Sequence, residues 1–223
     1  LKFVKKKKLL LVEDAAHAHG SYLNKNLYAG TIGDIGCFSF YPTKVMTTGE
    51  GGMITTNNKN FYTQMLSYKN FGRGNNPNFI NFLGSNYKIS EFTAIIGILE
   101  LERIKKRINK RKAIVLRYLK NLKDNDKYEV ITQNRGRSSY YKCIIKTKIK
   151  SKIIHNYCNS KGIQLTGKVW DIPIHKQQVF KKYAYKSNFK NAEKFSEYHI
   201  CPPNYPELTF NEIDYVCSVL NKI

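Results

Sequence analysis

The segment 34-DIGCFSFYPTKVMTTGEGGMITTNN-58 places a single lysine, Lys44, between an apolar run and the glycine-rich stretch GEGG at 49–52. Residues 32–41 (IGDIGCFSFY), marked by Gly33 and Gly36, read as a strand. Residues 52–57 (GMITTN) read as another, with β-branched residues ahead of an Asn-Asn turn. Upstream, 9–12 (LLLV) is a short continuous apolar run that fits a buried parallel strand. It ends in Glu13-Asp14 and the segment AAHAHGS. Open α/β sheets bind ligands at the carboxyl ends of their strands, so Asp14 and the region of Lys44 fall where a site is expected.

The rest of the chain extends this frame. Residues 59–70 read as a helix and 71–86 as a loop rich in Gly and Asn. A long helix starts at Ser90, a suitable N-cap, with Glu91 in its first turn. Its expected buried face carries Ile95, Leu99, Ile104 and Ile108 and continues to Leu116 and Leu119. Beyond about residue 124 the pattern changes to short strands at 128–133, 139–148 and 162–167. A helix at 150–160 and a last helix after Pro206 complete this part. The expected architecture is an α/β domain over 1–123, ending in the long helix, and a small α+β domain over 124–223.

Composition limits the functional classes. Hydrophobic residues make up 42% and aromatics 13% of the 223 residues, enough for a packed core. Lys and Arg number 38 against 16 acidic residues, a formal net charge of +22. The basic residues are spread along the chain, and the run at 103–112 lies on the long helix, where a charged stripe is a solvated face. No zinc-finger spacing or RNP-like segment accompanies them, so nucleic acid is not the expected partner. The charge suits attraction of an anionic ligand. Five cysteines without a CxxC pair argue against a disulfide framework or a zinc site, and point to a reducing cytoplasm. No apolar run approaches the roughly 18 residues of a membrane span.

An acid at one strand end and a lysine after a neighbouring strand have a definite joint use. Pyridoxal phosphate takes a carboxylate on its ring nitrogen, a lysine that holds its aldehyde as a Schiff base, and a hydroxyl for its phosphate. Asp14, Lys44 and Ser39 supply these three groups. The wording around them, VEDAAHAHGS and GTIGDIGCFSFYPTKVMTTGEGGMITTNN, closely resembles the DegT/DnrJ/EryC1/StrS family of sugar aminotransferases, pyridoxal-phosphate enzymes of fold type I. The resemblance continues through 84–104 (GSNYKISEFTAIIGILELERI), 169–180 (VWDIPIHKQQVF) and 201–216 (CPPNYPELTFNEIDYV).

The resemblance implies a role for each matching residue. Lys44 forms the Schiff base, Asp14 pairs with the pyridine nitrogen, and His17 stands beside the phenolic oxygen. Ser39 bonds the phosphate, and Asn86 reaches the phosphate bound by the other subunit of a homodimer. Lys88, where relatives often carry Arg, is a candidate for the substrate's phosphates. The implied reaction moves an amino group from glutamate or glutamine to a nucleotide-linked keto-sugar. A dehydrating branch of the family has His at the lysine position, so Lys44 favours transamination.

The residues alone leave a second reading for each. Asp14 also suits the cap of a helix near Ala15, His17 and His19 suit a core, Ser39 suits a backbone contact and Asn86 a turn. Tyr41, Glu50, Arg73 and His175 lie in matching segments without an assigned role. Family members also carry a larger N-terminal portion ahead of EDAAHAHG, including a phosphate-binding turn and a ring-stacking aromatic. The chain therefore reads as the C-terminal part of a fold-type-I large domain plus the small domain. By itself it is expected to bind pyridoxal phosphate weakly or not at all and to expose apolar surface. The alternative readings are an inactive fragment of such an enzyme and a basic module that binds polyanions.

Overall fold

The computed structural model describes residues 1–133, 135–184 and 188–223. The chain divides into two compact units: Leu1–Ile108 with Asn134–Ser139, and Asn109–Gln133 with Tyr140–Ile223. The sequence places the boundary after the long helix, whereas the contacts place it inside that helix.

Unit 1 opens with a basic helix α1 (Lys2–Lys7), followed by β1 (Val12–Asp14) and a hairpin of β2 (Tyr22–Asn24) and β3 (Leu27–Tyr28). Next come β4 (Ile35–Ser39) and β5 (Gly52–Thr55), the two strands expected around Lys44. The sheet order is β1-β4-β5, parallel between β1 and β4 and antiparallel between β4 and β5. The register pairs Glu13 with Gly36 and Asp14 with Cys37. Asn58 caps α2 (Lys59–Tyr68) by accepting from the amides of Asn60 and Phe61. Ser90 accepts from Thr93 N at the start of α3 (Glu91–Leu122), as its position predicts.

Two expectations in unit 1 are corrected. The LLLV run does not form a buried strand, since β1 begins only at Val12, which is 58% exposed, and Leu9 and Leu10 are exposed as well. β1 is an edge strand, and among the described residues nothing covers its outer face. The first half of α3 also fails to bury the expected stripe: Ile95 and Leu99 are exposed, and Ile108 is the first of that set to be buried.

In unit 2 the apolar face of α3 is buried, through Ile114, Val115, Tyr118 and Leu122. These side chains join a core built on an antiparallel sheet ordered β6-β7-β8. β6 is Tyr128–Val130, β7 is Ile145–Thr147 and β8 is His199–Ile200. The first two are shorter than the expected strands, and β8 was not anticipated. α4 (Ser151–Ser160) contributes Ile154 and Cys158 to the core. After α5 (Lys181–Ala184) and α6 (Lys190–Glu197) the chain closes with α7 (Phe210–Leu220). Thr209 and Glu212 form a reciprocal capping box at its start. The expected strand at 162–167 makes only one isolated bridge, Thr166 to Cys201. Ile163 and Leu165 are buried in the same core, so their alternation is satisfied by packing without a full ladder.

Candidate active site

β1 and β4 run parallel, so Asp14 and Ser39 emerge at the same end of the sheet, in adjacent strands. No helix follows Asp14. Residues 15–20 form turns instead, and Asp14 Oδ1 accepts from Ala16 N at 3.1 Å. Its other oxygen has no partner among the described residues. The capping alternative thus becomes a local turn that engages one oxygen and leaves the second available. Ser39 Oγ accepts weakly from Tyr41 N at 3.4 Å, which leaves its hydrogen to donate elsewhere.

Lys44 lies on the loop between β4 and β5, and this loop is closed by its own backbone. Phe40 N donates to Gly51 O, and Thr48 N to Phe40 O. Lys44 N donates to Tyr41 O at 3.0 Å, turning the chain immediately before the lysine. Thr47 Oγ1 donates to Phe40 O, and Thr48 Oγ1 to Glu50 O. The neighbours Val45, Met46 and Thr48 are buried, so the loop is anchored and Lys44, half-buried, projects from a fixed base.

His19 packs against the end of β4 that leads to this loop. It is 3% exposed, with its ring 5.4 Å from Phe38 and 6.0 Å from Phe40. Burial lowers its pKa, the Ser39 backbone partly opposes this, and the charges of Lys44 and His17 lower it further. Burial thus disfavours the charged imidazole, and both ring nitrogens are buried without a hydrogen-bond partner among the described residues. The sequence reading gave His19 a structural part only; the AAHAHG segment signalled it as the second of two histidines spaced by one residue.

His17 is exposed, and its carbonyl is held from far along the chain. Ser139 Oγ donates to His17 O, and Ser139 N to Ser21 Oγ. Tyr22 and Arg137 exchange a pair of backbone bonds. Residues 135–139 thus brace the loop that leaves Asp14, which no local pattern announces.

Asn86 and Lys88 are exposed on a separate loop. Asn86 bridges Asn70, and Lys88 Nζ donates to Asn70 Oδ1 at 3.2 Å. Arg73 and Lys88 both lie over the Phe71 ring, at 5.3 and 5.5 Å. Two cations sharing one ring, with no carboxylate ion-paired to either among the described residues, suit an anion. Of the other unassigned residues, Tyr41 and Glu50 serve the Lys44 loop through their carbonyls. His175 is paired with Glu193 at 2.9 Å and stacked on Phe189 in unit 2.

The donor set fits pyridoxal phosphate: a carboxylate oxygen without a partner and a hydroxyl free to donate at the ends of adjacent parallel strands, and an amine on the loop that follows the second. No cluster of metal-ligating residues occurs among the described residues, and no helix there is long and apolar enough to cross a membrane.

Comparison with known proteins points the same way. The model of the DegT/DnrJ/EryC1/StrS aminotransferase family matches residues 1–221. The chain is 29% identical over 226 residues to GDP-perosamine synthase of Escherichia coli O157:H7, covering 100% of this chain and 60% of that protein. It is 28% identical over 223 residues to dTDP-4-amino-4,6-dideoxy-D-glucose transaminase of Shigella dysenteriae, covering 96% and 59%. Among solved structures, a DegT DnrJ EryC1 StrS aminotransferase from Brucella abortus superimposes with a TM-score of 0.90 at 23% identity, over 99% of this chain and 59% of the other. The chain thus spans about three-fifths of the length of these relatives.

Proposed function

Because the chain belongs to the DegT/DnrJ/EryC1/StrS aminotransferase family, we propose that it forms the lysine-bearing part of a nucleotide-sugar aminotransferase. The reaction moves an amino group from glutamate or glutamine onto a keto-sugar carried by a nucleoside diphosphate. Two relatives are named for products of this class, GDP-perosamine and dTDP-4-amino-4,6-dideoxy-D-glucose. The observation that supports the reading is that Asp14, with one oxygen free, and Ser39 lie at the same end of adjacent parallel strands, with Lys44 on the anchored loop that follows Ser39.

Pyridoxal phosphate, when bound, supplies an electron sink conjugated to the carbon that gains or loses the amino group. Lys44 would hold the cofactor's aldehyde carbon through its amine, and the same amine would be the group that moves a proton at the reacting carbon. Asp14 would lend its free carboxylate oxygen to the ring nitrogen and favour its protonated form. Ser39 would donate to the phosphate, and His17 would stand beside the phenolic oxygen. Asn86 serves the phosphate bound by the other subunit of a homodimer. Lys88 meets the substrate's phosphates as a point charge, less selectively than a guanidinium. Five free thiols suit a cytoplasmic enzyme.

Reductive trapping tests this directly. The chain is incubated with pyridoxal phosphate, reduced with borohydride, and the modified lysine is mapped by mass spectrometry. Trapping also registers weak occupancy. The expected label is on Lys44, and it disappears in Lys44→Ala. Label scattered over surface lysines, with Lys44 not preferred, would refute the reading.

A further inference from the structure

Glu13 precedes Asp14 in β1, and alternation along the strand sends its side chain to the opposite face. There it makes three hydrogen bonds with one turn. Its Oε2 accepts from Gly30 N at 2.9 Å, and its Oε1 accepts from Ile32 N at 2.6 Å and Gly33 N at 2.7 Å. The carboxylate is the acceptor for all three amides.

The residues that pair across the sheet at this level serve the same turn. Glu13 pairs with Gly36 of β4, and Gly36 pairs with Thr55 of β5. Thr55 Oγ1 donates to Gly30 O. Gly36 makes room for that carbonyl, since a Cβ there would overlap the Gly30 backbone. One row of the sheet therefore holds the 30–33 turn from both sides: Glu13 takes its N–H groups, Thr55 takes its carbonyl, and Gly36 allows the approach. The next row contains Asp14, paired with Cys37, and β4 ends two residues later at Ser39.

The need for such a lock follows from the weakness of β1. It is three residues long, lies at the sheet edge and leaves Val12 exposed, so hydrophobic burial does little to fix its register. A slip of one residue would turn every side chain to the other face and remove Asp14 from the site. Three bonds to a charged acceptor, each stronger than a neutral one, oppose that slip.

We propose that Glu13 is a positioning residue, which through the 30–33 turn fixes the register in which β1 presents Asp14 beside the end of β4 that leads to Lys44. The functional consequence rests on the aminotransferase reading above; the register lock itself is measurable without cofactor. In the isotope-labelled chain, amide exchange at Gly30, Ile32 and Gly33 is followed by NMR, together with the Asp14 carboxyl carbon and the Ser39 amide.

In Glu13→Ala those three amides are expected to exchange about tenfold faster or more. The Asp14 and Ser39 resonances move, while amides of β6 and β7 keep their protection. Glu13→Gln, which retains one acceptor oxygen, gives an intermediate result. Should the alanine variant fail to fold, Glu13→Gln and Thr55→Val carry the same readout. Unchanged protection at 30–33, or released amides with Asp14 and Ser39 unmoved, would overturn the proposal. Absence of trapping at Lys44 in the unaltered chain counts against the aminotransferase reading and leaves the register result intact, so the two failures are distinct.

Discussion

One Asp14 oxygen accepts from Ala16 N and the other is the one proposed to meet the pyridine nitrogen, and a conservative change separates the two. Asn at this position keeps an oxygen for Ala16 N but loses the charge that holds a ring nitrogen protonated. Asp14→Asn is therefore expected to leave the fold and the 15–20 turns unchanged while lowering pyridoxal-phosphate trapping at Lys44 by tenfold or more, on the order of 1.4 kcal/mol. Trapping at the unaltered level would show that the carboxylate does not touch the ring. At this scale the placement of Asp14 at the end of β1, and of Lys44 on the loop after β4, was legible because their neighbours in sequence carry the strand signal. Glu13 and His19 were not assigned these parts, because their partners are set by folding. Glu13 bonds amides 17 to 20 residues away, and His19 takes its character from Phe38, Phe40 and Lys44.

Elements were legible where a local chemical rule defines an end. Ser90 begins α3 as expected, whereas α7, expected only as a helix after Pro206, begins at a Thr209–Glu212 capping box that the structure revealed. The box is reciprocal, so Thr209→Ala should cost about 0.5–2 kcal/mol in urea denaturation. Its two bonds to Thr209 hold the Glu212 carboxyl below the usual range. That contribution is present above the unfolded carboxylate value and fades as pH falls through the folded one. Buried apolar residues of unit 2 should be more costly: Ile154→Ala, fully buried in α4, is expected to lose about 2–5 kcal/mol. Strand pairing was less legible. Ile163 and Leu165 have the alternation of a strand, yet burial alone satisfies it, and two-residue β8 is too short to leave a pattern.

At the scale of the molecule, buried and half-buried histidines make stability depend on pH. His19, His155 and His199 all have lowered pKa values, with burial the leading cause in each. The unfolded chain then takes up protons first, near 6.5, so the stability these residues contribute is complete above that value and is lost as pH falls towards the folded ones. Thermal melts should shift downward between pH 7.5 and about 5.5. Equal melting temperatures across that window would contradict this account.

The first half of α3 adds a second property. Phe92, Ile95, Ile98, Leu99 and Leu101 are exposed, an apolar surface of the kind that drives association. Sedimentation should show concentration-dependent self-association, reduced in Ile95→Glu/Leu99→Glu. The sequence displayed this stripe but did not show which half of the helix would be covered.

The brace on His17 and Ser21 has a consequence in time as well as in space. Its bonds join residues 118 and 122 positions apart, and contacts so distant in sequence form late. A ribosome making this chain releases Asp14, β4, β5 and the whole of α3 before Ser139 appears. During that interval the nascent site has its lysine and its acid but not the strap across their connecting loop. Unit 1 is finished only when translation has already passed β6, and a chain stalled earlier would hold the parts of the site without its final order.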